Sequence, residues 1–100
     1  MISISAIPHD EVYELKLVGR LDVKAAKEIE PAFAEAASAK KDVLLDMTKL
    51  DYIASAGLHA LKRLSSDLRA HGKALTLRGT QADVMEVFEM TGFAAILNFE

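Results

Sequence analysis

The chain has no cysteine, which excludes disulfides, thiolate metal sites and a cysteine nucleophile together and fits a reducing compartment. It has no excess of basic charge: 12 Lys and Arg stand against 15 Asp and Glu, for a formal net charge of −3. With no basic stripe to follow a phosphate backbone, nucleic acid is not an expected partner. No apolar run approaches the ~18 residues of a membrane span, so no membrane insertion is expected. The opening MISISAIPHDE lacks a basic stretch followed by a long apolar core and does not read as a secretory signal. Glycine loops of the G-x-x-x-x-G-K-[ST] and G-x-G-x-x-G kinds, which cradle phosphates, are missing. The histidines His9, His59 and His71 have no metal-ligand spacing. Neither a metal nor another cofactor is therefore expected. Internal repeats and low-complexity segments are absent as well.

What is present is an apolar, foldable chain. Hydrophobic residues make up 51% and charged residues 27% of its 100 residues. That composition can bury a core, and the length is that of one domain spanning residues 1–100. The expected compartment is the cytoplasm.

Period-two alternation marks two strands around the turn signal AIPHDE: Ile2 and Ile4 before it, Tyr13, Leu15 and Leu17 after it. The short link predicts an antiparallel pair. Gly19 reads as the end of the second strand. Asp22 is a helix-cap candidate, and Ala26, Ile29, Phe33 and Ala36 follow at helical spacing. Pro31 falls inside that pattern and predicts one kinked helical region rather than a break. DVLLDM, residues 42–47, is continuously apolar apart from its aspartates and reads as a central strand covered on both sides. Leu58, Leu61, Leu64 and Leu68 mark the next helix, with Gly72 as its C-terminal residue. ALTLRG alternates again. TQAD, residues 80–83, reads as a capping box before a helix that ends at Gly92, and AAILNFE as a last short strand. Strands alternating with helices predict a largely parallel sheet. The fold class is α/β, a four- to five-stranded mixed sheet with three helices packed on it. Val43, Leu45, Leu61, Leu64, Leu75, Leu77 and Phe88 are expected in the core, with Leu44 and Val87.

The residue that asks for a function is Ser55, in DYIASAGLHALKRL. It sits where a strand gives way to a helix. The plainest reading is a helix cap. A nucleophile is a second, since a strand, a sharp turn bearing serine and a helix also describe the hydrolase elbow. That elbow needs G-x-S-x-G, however, and Ile53 occupies the first glycine position. Its triad also needs a late histidine, and none follows Asp83. No catalytic residue is therefore assigned. A third reading is phosphorylation: a helix N-terminus tolerates a phosphate, and the small Ala54, Ala56 and Gly57 leave the hydroxyl open to another protein. Asp46 and Asp51 read as solvated or capping acids.

Four stretches resemble the STAS domain family of anti-sigma factor antagonists: LVGRLD, VLLDMTKLDYIASAGLHAL, HGKALTLRG and VMEVFEMTGFAAIL. Together they cover nearly the whole chain. The resemblance places Ser55 on the family's phosphoacceptor serine and Gly57 and Leu58 on its Gly-Leu pair. Ala54 and Ala56 depart from the acidic or hydroxyl residues often found beside that serine, and the family's final C-terminal helix has no counterpart before Glu100. What the resemblance implies is a partner switch. The unphosphorylated protein binds an anti-sigma factor that is also a serine kinase of the ATP-binding, histidine-kinase-like class, and a sigma factor is freed. Phosphorylation of Ser55 ends binding, and a serine phosphatase restores it. The alternative is a non-switching STAS subunit docked on the ATPase of a lipid-transport ABC system. The expected contact surface runs from Asp51 and Tyr52 through Ala54, Ser55, Ala56 and Gly57 to His59 and Lys62. It also takes in Gly19, Arg20 and Asp22, because loops at the carboxyl ends of parallel strands gather on one edge.

Overall fold

A computed structural model describes residues 2–100. Strands β1 (Ile2–Pro8) and β2 (Val12–Leu21) form the expected antiparallel hairpin. Helices α1 (Val23–Glu28) and α2 (Glu30–Ser38) lead to β3 (Asp42–Ile53), and α3 (Ser55–Arg69) leads to β4 (Leu75–Arg78). Helix α4 (Ala82–Thr91), a 3-10 turn (Phe93–Ala95) and β5 (Asn98–Phe99) complete the described chain. The sheet order is β1-β2-β3-β4-β5, parallel from β2 onward.

Every parallel crossover steps one strand in the same direction. Right-handed crossovers of that kind put all their helices on one face. Burial agrees: Leu15, Leu17, Val43, Leu45, Leu75 and Leu77 are buried, while the alternating Glu14, Lys16, Leu44, Thr76 and Arg78 are only half-buried. Leu61, Leu64 and Leu68 of α3 and Val84 and Phe88 of α4 close the core, and Phe88 packs on Phe99 with ring centroids 5.5 Å apart. Expected core positions Leu44 and Val87 are half-buried instead.

β3 therefore has one helix-covered face, not two. Its other face carries a charged clasp. The Arg78 guanidinium donates through one nitrogen to Glu14 at 3.0 Å and to Asp46 at 3.1 Å, joining β4, β3 and β2. Asp46 is buried and also accepts from the Thr48 hydroxyl at 2.7 Å and the Thr48 amide at 3.0 Å. Burial pushes its carboxyl up, but the Thr48 donors and the Arg78 charge outweigh that and hold it below its ordinary value. Asp46 is thus a sheet-bridging acid, neither solvated nor a helix cap.

Other local expectations are corrected. The helical region breaks at Ile29, and Pro31 lies in the first turn of α2, where its missing N–H is no loss. Among the described residues the three longer helices α2, α3 and α4 are joined by the six-residue α1. β2 runs past Gly19 (φ 111°) to Leu21, and β3 runs to Ile53, six residues beyond Met47. Polar Thr48, Lys49, Asp51 and Tyr52 lie beyond the expected strand DVLLDM. They are strand because the backbone pairs with β2, Leu50 opposite Gly19 and Tyr52 opposite Arg20. The capping box is not formed: α4 starts after Gln81, whose side chain donates to the Thr48 carbonyl, and the buried Thr80 hydroxyl has no partner. AAILNFE contributes only Asn98–Phe99 to the sheet. Gly72 does close α3. At φ +70° it lets Lys73 donate back to the Leu68 carbonyl and Gly72 to that of Arg69.

Candidate functional site

The carboxyl ends of β2 and β3 lie side by side. Leu21 pairs with Ile53, and the Ala54 amide donates to the Leu21 carbonyl at 2.9 Å. Each strand then turns at once into a helix, so α1 and α3 begin as neighbours. Asp22 caps α1, its carboxylate accepting from the Ala25 amide at 2.9 Å. At α3 the capping position belongs to Ala54, extended at φ −96° and ψ 170°, and no side chain caps the helix. Ser55 is the first helical residue, exposed, and not the cap expected of it. Its hydroxyl stands at the positive end of a 15-residue helix.

The first turn of α3 sits close to the sheet because residue 57 is glycine. A Cβ there would lie 2.7 Å from Leu21 Cγ and 2.9 Å from Ile53 Cγ1. Gly57 is buried, so it shapes the surface without being part of it. Ala56 is half-buried. Ser55, His59 and Lys62 are exposed at i, i+4 and i+7, one stripe of the helix. The His59 ring stands edge-on to Phe93, centroids 6.3 Å apart, which places it against an aromatic neighbour rather than as a base for Ser55.

On the strand side, Tyr52 is 39% exposed and the Arg20 guanidinium lies 4.1 Å over its ring. Asp51 is exposed and is skipped in the register, where Gly19 and Arg20 oppose Leu50 and Tyr52. The extra residue is a bulge, a device that re-aims side chains at a strand end. Gly19 is half-buried at that irregularity. The expected residues from Gly19 to Asp22 and from Asp51 to Gly57 thus gather at one edge, with Asp22 as a cap and Gly57 as packing, while His59 and Lys62 follow one and two turns along α3.

A groove was not anticipated. It lies between α1–α2 and α3, holds about 480 Å³, and borders the start of α3 through Ala56 and His59. Val23, Ala26, Phe33 and Ala60 line it together with the charged Lys27, Glu30, Arg63 and Asp67, and Val23 is 61% exposed. The signal available in the sequence was Val23, an apolar residue directly after a cap on a face that the helical spacing leaves outside the core.

An exposed serine on an uncapped helix is thus flanked by a cation-aromatic pair and by the groove. The sequence matches the STAS domain family over residues 3–100, and the chain belongs to that family. It is 26% identical over 98 residues to the anti-sigma-B factor antagonist of Staphylococcus epidermidis, covering 97% of this chain and 91% of that protein. BtrV of Bordetella bronchiseptica, designated an anti-sigma factor antagonist, is 35% identical over 81 residues, 80% of this chain and 70% of BtrV. Among solved structures, the anti-sigma factor antagonist SpoIIAA in its unphosphorylated form superposes with a TM-score of 0.76 at 16% identity, over 98% of this chain and 87% of that one. The phosphorylated Bacillus SpoIIAA gives 0.74 at 17%, over 98% and 91%. No helix among the described residues is long and apolar enough to cross a membrane.

Proposed function

We propose that this chain is an anti-sigma factor antagonist that works by partner switching at Ser55. Unphosphorylated, it binds an anti-sigma factor with serine kinase activity of the ATP-binding, histidine-kinase-like class, and a sigma factor is freed. Transfer of a phosphate to the Ser55 hydroxyl ends the contact, and a serine phosphatase renews it. The protein is the substrate in both steps and not the catalyst. Docking involves the α3 stripe of Ser55, His59 and Lys62, the Arg20–Tyr52 pair and the groove beside Ala56. Tyrosine and arginine are the residue types that anchor interfaces most often.

One observation carries the reading. Ser55 is exposed at the N-terminus of a helix that no side chain caps. A phosphate there meets the helix dipole and leaves the fold intact. The same dianion inside a desolvated contact, without a counter-ion, repels the partner.

The experiment compares Ser55→Ala with Ser55→Glu against an anti-sigma factor kinase of that class from the same organism, by calorimetry, with folding checked by circular dichroism. Ser55→Ala is expected to bind like the wild type and to take no label from radioactive ATP. Ser55→Glu is expected to fold and to bind roughly a hundredfold more weakly, about 2.7 kcal/mol. Equal binding by the two folded variants would remove the switch and leave a constitutive docking module.

A further inference from the structure

The two edges of the sheet are guarded unequally. β5 offers two residues to a passing strand, while β1, at the opposite edge, offers seven. Natural edge strands are blunted by charge, proline, bulges or brevity. β5 has brevity. The stretch from Ile2 to Ile7 reads ISISAI, with no charged residue, no proline and no bulge against β2.

The register identifies the free groups. The His9 amide donates to the Val12 carbonyl at 2.9 Å, so His9 and Val12 form a hydrogen-bonded pair. Such pairs alternate along an antiparallel ladder, and Pro8 with Tyr13, Ile7 with Glu14 and Ile4 with Leu17 continue it without a slip. The odd-numbered residues of β1 therefore bond to β2. Ile2, Ile4 and Ala6 turn their N–H and C=O groups outward. So does Pro8, which puts its missing N–H on the open side, where a strand tolerates it.

We propose that this edge is a homodimer contact, β1 pairing antiparallel with β1 of a second copy about a two-fold axis at Ile4. A two-fold axis requires a self-complementary pairing, and hydrogen-bonded pairs require outward groups on both sides. Ile4 against Ile4, and Ile2 against Ala6 in both directions, use every outward group of those three residues, about six hydrogen bonds. An axis at Ser5 would set Ile2 against Pro8, which has no amide to donate. An axis at Ser3 would leave Ala6 unused. The choice also matches faces. Ile4 lies opposite buried Leu17 and Ala6 opposite buried Leu15, on the helix side of the sheet. Ile2 and Ile4 are only partly buried in the single chain, and the pairing brings the two cores together across the axis. Ser3 then meets Ser5 on the far face, where their hydroxyls can bond. Strand-edge contact is narrower than the ~1,200 Å² of a standard interface, so the dimer is concentration-dependent.

The absence of native cysteine makes the test direct. Only on the axis does a residue meet its own copy. Ile4→Cys, Ser3→Cys and Ser5→Cys are each oxidised as the full chain. Residues in a hydrogen-bonded pair have Cα atoms about 5.5 Å apart, within disulfide reach. Ile4→Cys is expected to form a covalent dimer, while the more exposed Ser3→Cys and Ser5→Cys remain single chains. Random collision would favour the exposed pair, so equal or faster linking there overturns the proposal. In light scattering, the wild-type mass is expected to rise with concentration from 10.9 kDa toward about twice that value. Ile4→Pro removes the outward N–H at the axis, and with it the two central hydrogen bonds, without touching the β2 ladder, and is expected to stay a folded monomer. A wild-type mass fixed at 10.9 kDa up to about 1 mM, or growth past a dimer into open-ended species, also overturns it.

Discussion

Helices α1 and α3 start as neighbours at the ends of adjacent strands, and their first turns are finished in opposite ways. At α1 an aspartate side chain holds the Ala25 amide. At α3 the equivalent place is taken by Ala54, which holds nothing, and a free serine follows. The first arrangement contributes stability. The second forgoes about 1 kcal/mol of capping energy and leaves a helix N-terminus without a side-chain partner. The α3 start is held instead by packing, through Gly57 against Leu21 and Ile53, so it stays in place without a cap. The proposed switch residue and the residues that hold the helix start are thus different ones within one turn of helix.

Four substitutions test that contrast. The largest effect is expected at Gly57. Gly57→Val inserts atoms where Leu21 and Ile53 already stand, and overpacking of this kind costs roughly 1–3 kcal/mol. Urea unfolding should show the midpoint falling at constant slope. Next is Asp22→Ala, which removes the α1 cap at a cost of about 1 kcal/mol, equivalent to a melting temperature roughly 4–8 °C lower in a domain this size. Ala54→Asp runs the other way. Supplying the missing cap should raise stability by roughly 0.5–1 kcal/mol, read as a higher urea midpoint. Smallest is Ser55→Ala, expected within about 0.5 kcal/mol of wild type because the hydroxyl caps nothing. If Ser55→Ala costs as much as Asp22→Ala, the serine is a cap after all and the contrast collapses.

The sequence carried the order of strands and helices because alternation and helical spacing are local signals, clear at Leu15–Leu17 and Leu61–Leu64–Leu68. It carried the Asp22 cap for the same reason. It did not carry features that depend on a distant strand. Thr48 to Tyr52 are polar enough to read as loop, and only pairing with β2 makes them strand. Ser55 was displaced by one position from cap to first helical residue, since Ala54, a poor cap by type, is fixed there by its bond to Leu21. Thr80 and Asp83 have capping-box spacing, yet Gln81 reaches Thr48 and the box is lost. The ends of β2 and β3 lie at one edge because the two strands are parallel, which the alternating pattern implied. The groove needed α1 and α3 in place before it could be recognised.

The clasp at Arg78 has a consequence for the timing of folding. The hairpin joins residues as near as His9 and Val12 and belongs to a class of event that takes ~1–10 μs. Arg78 reaches Asp46 across 32 positions and Glu14 across 64, so the clasp closes only after both crossovers have been made. We expect contacts of this separation to form after the transition state, where they hold the finished fold without hastening its arrival. Arg78→Met should therefore steepen nothing on the refolding arm of the chevron and raise the unfolding arm alone. On that view the clasp acts as a brake on opening, setting how long a folded molecule persists rather than how soon it appears.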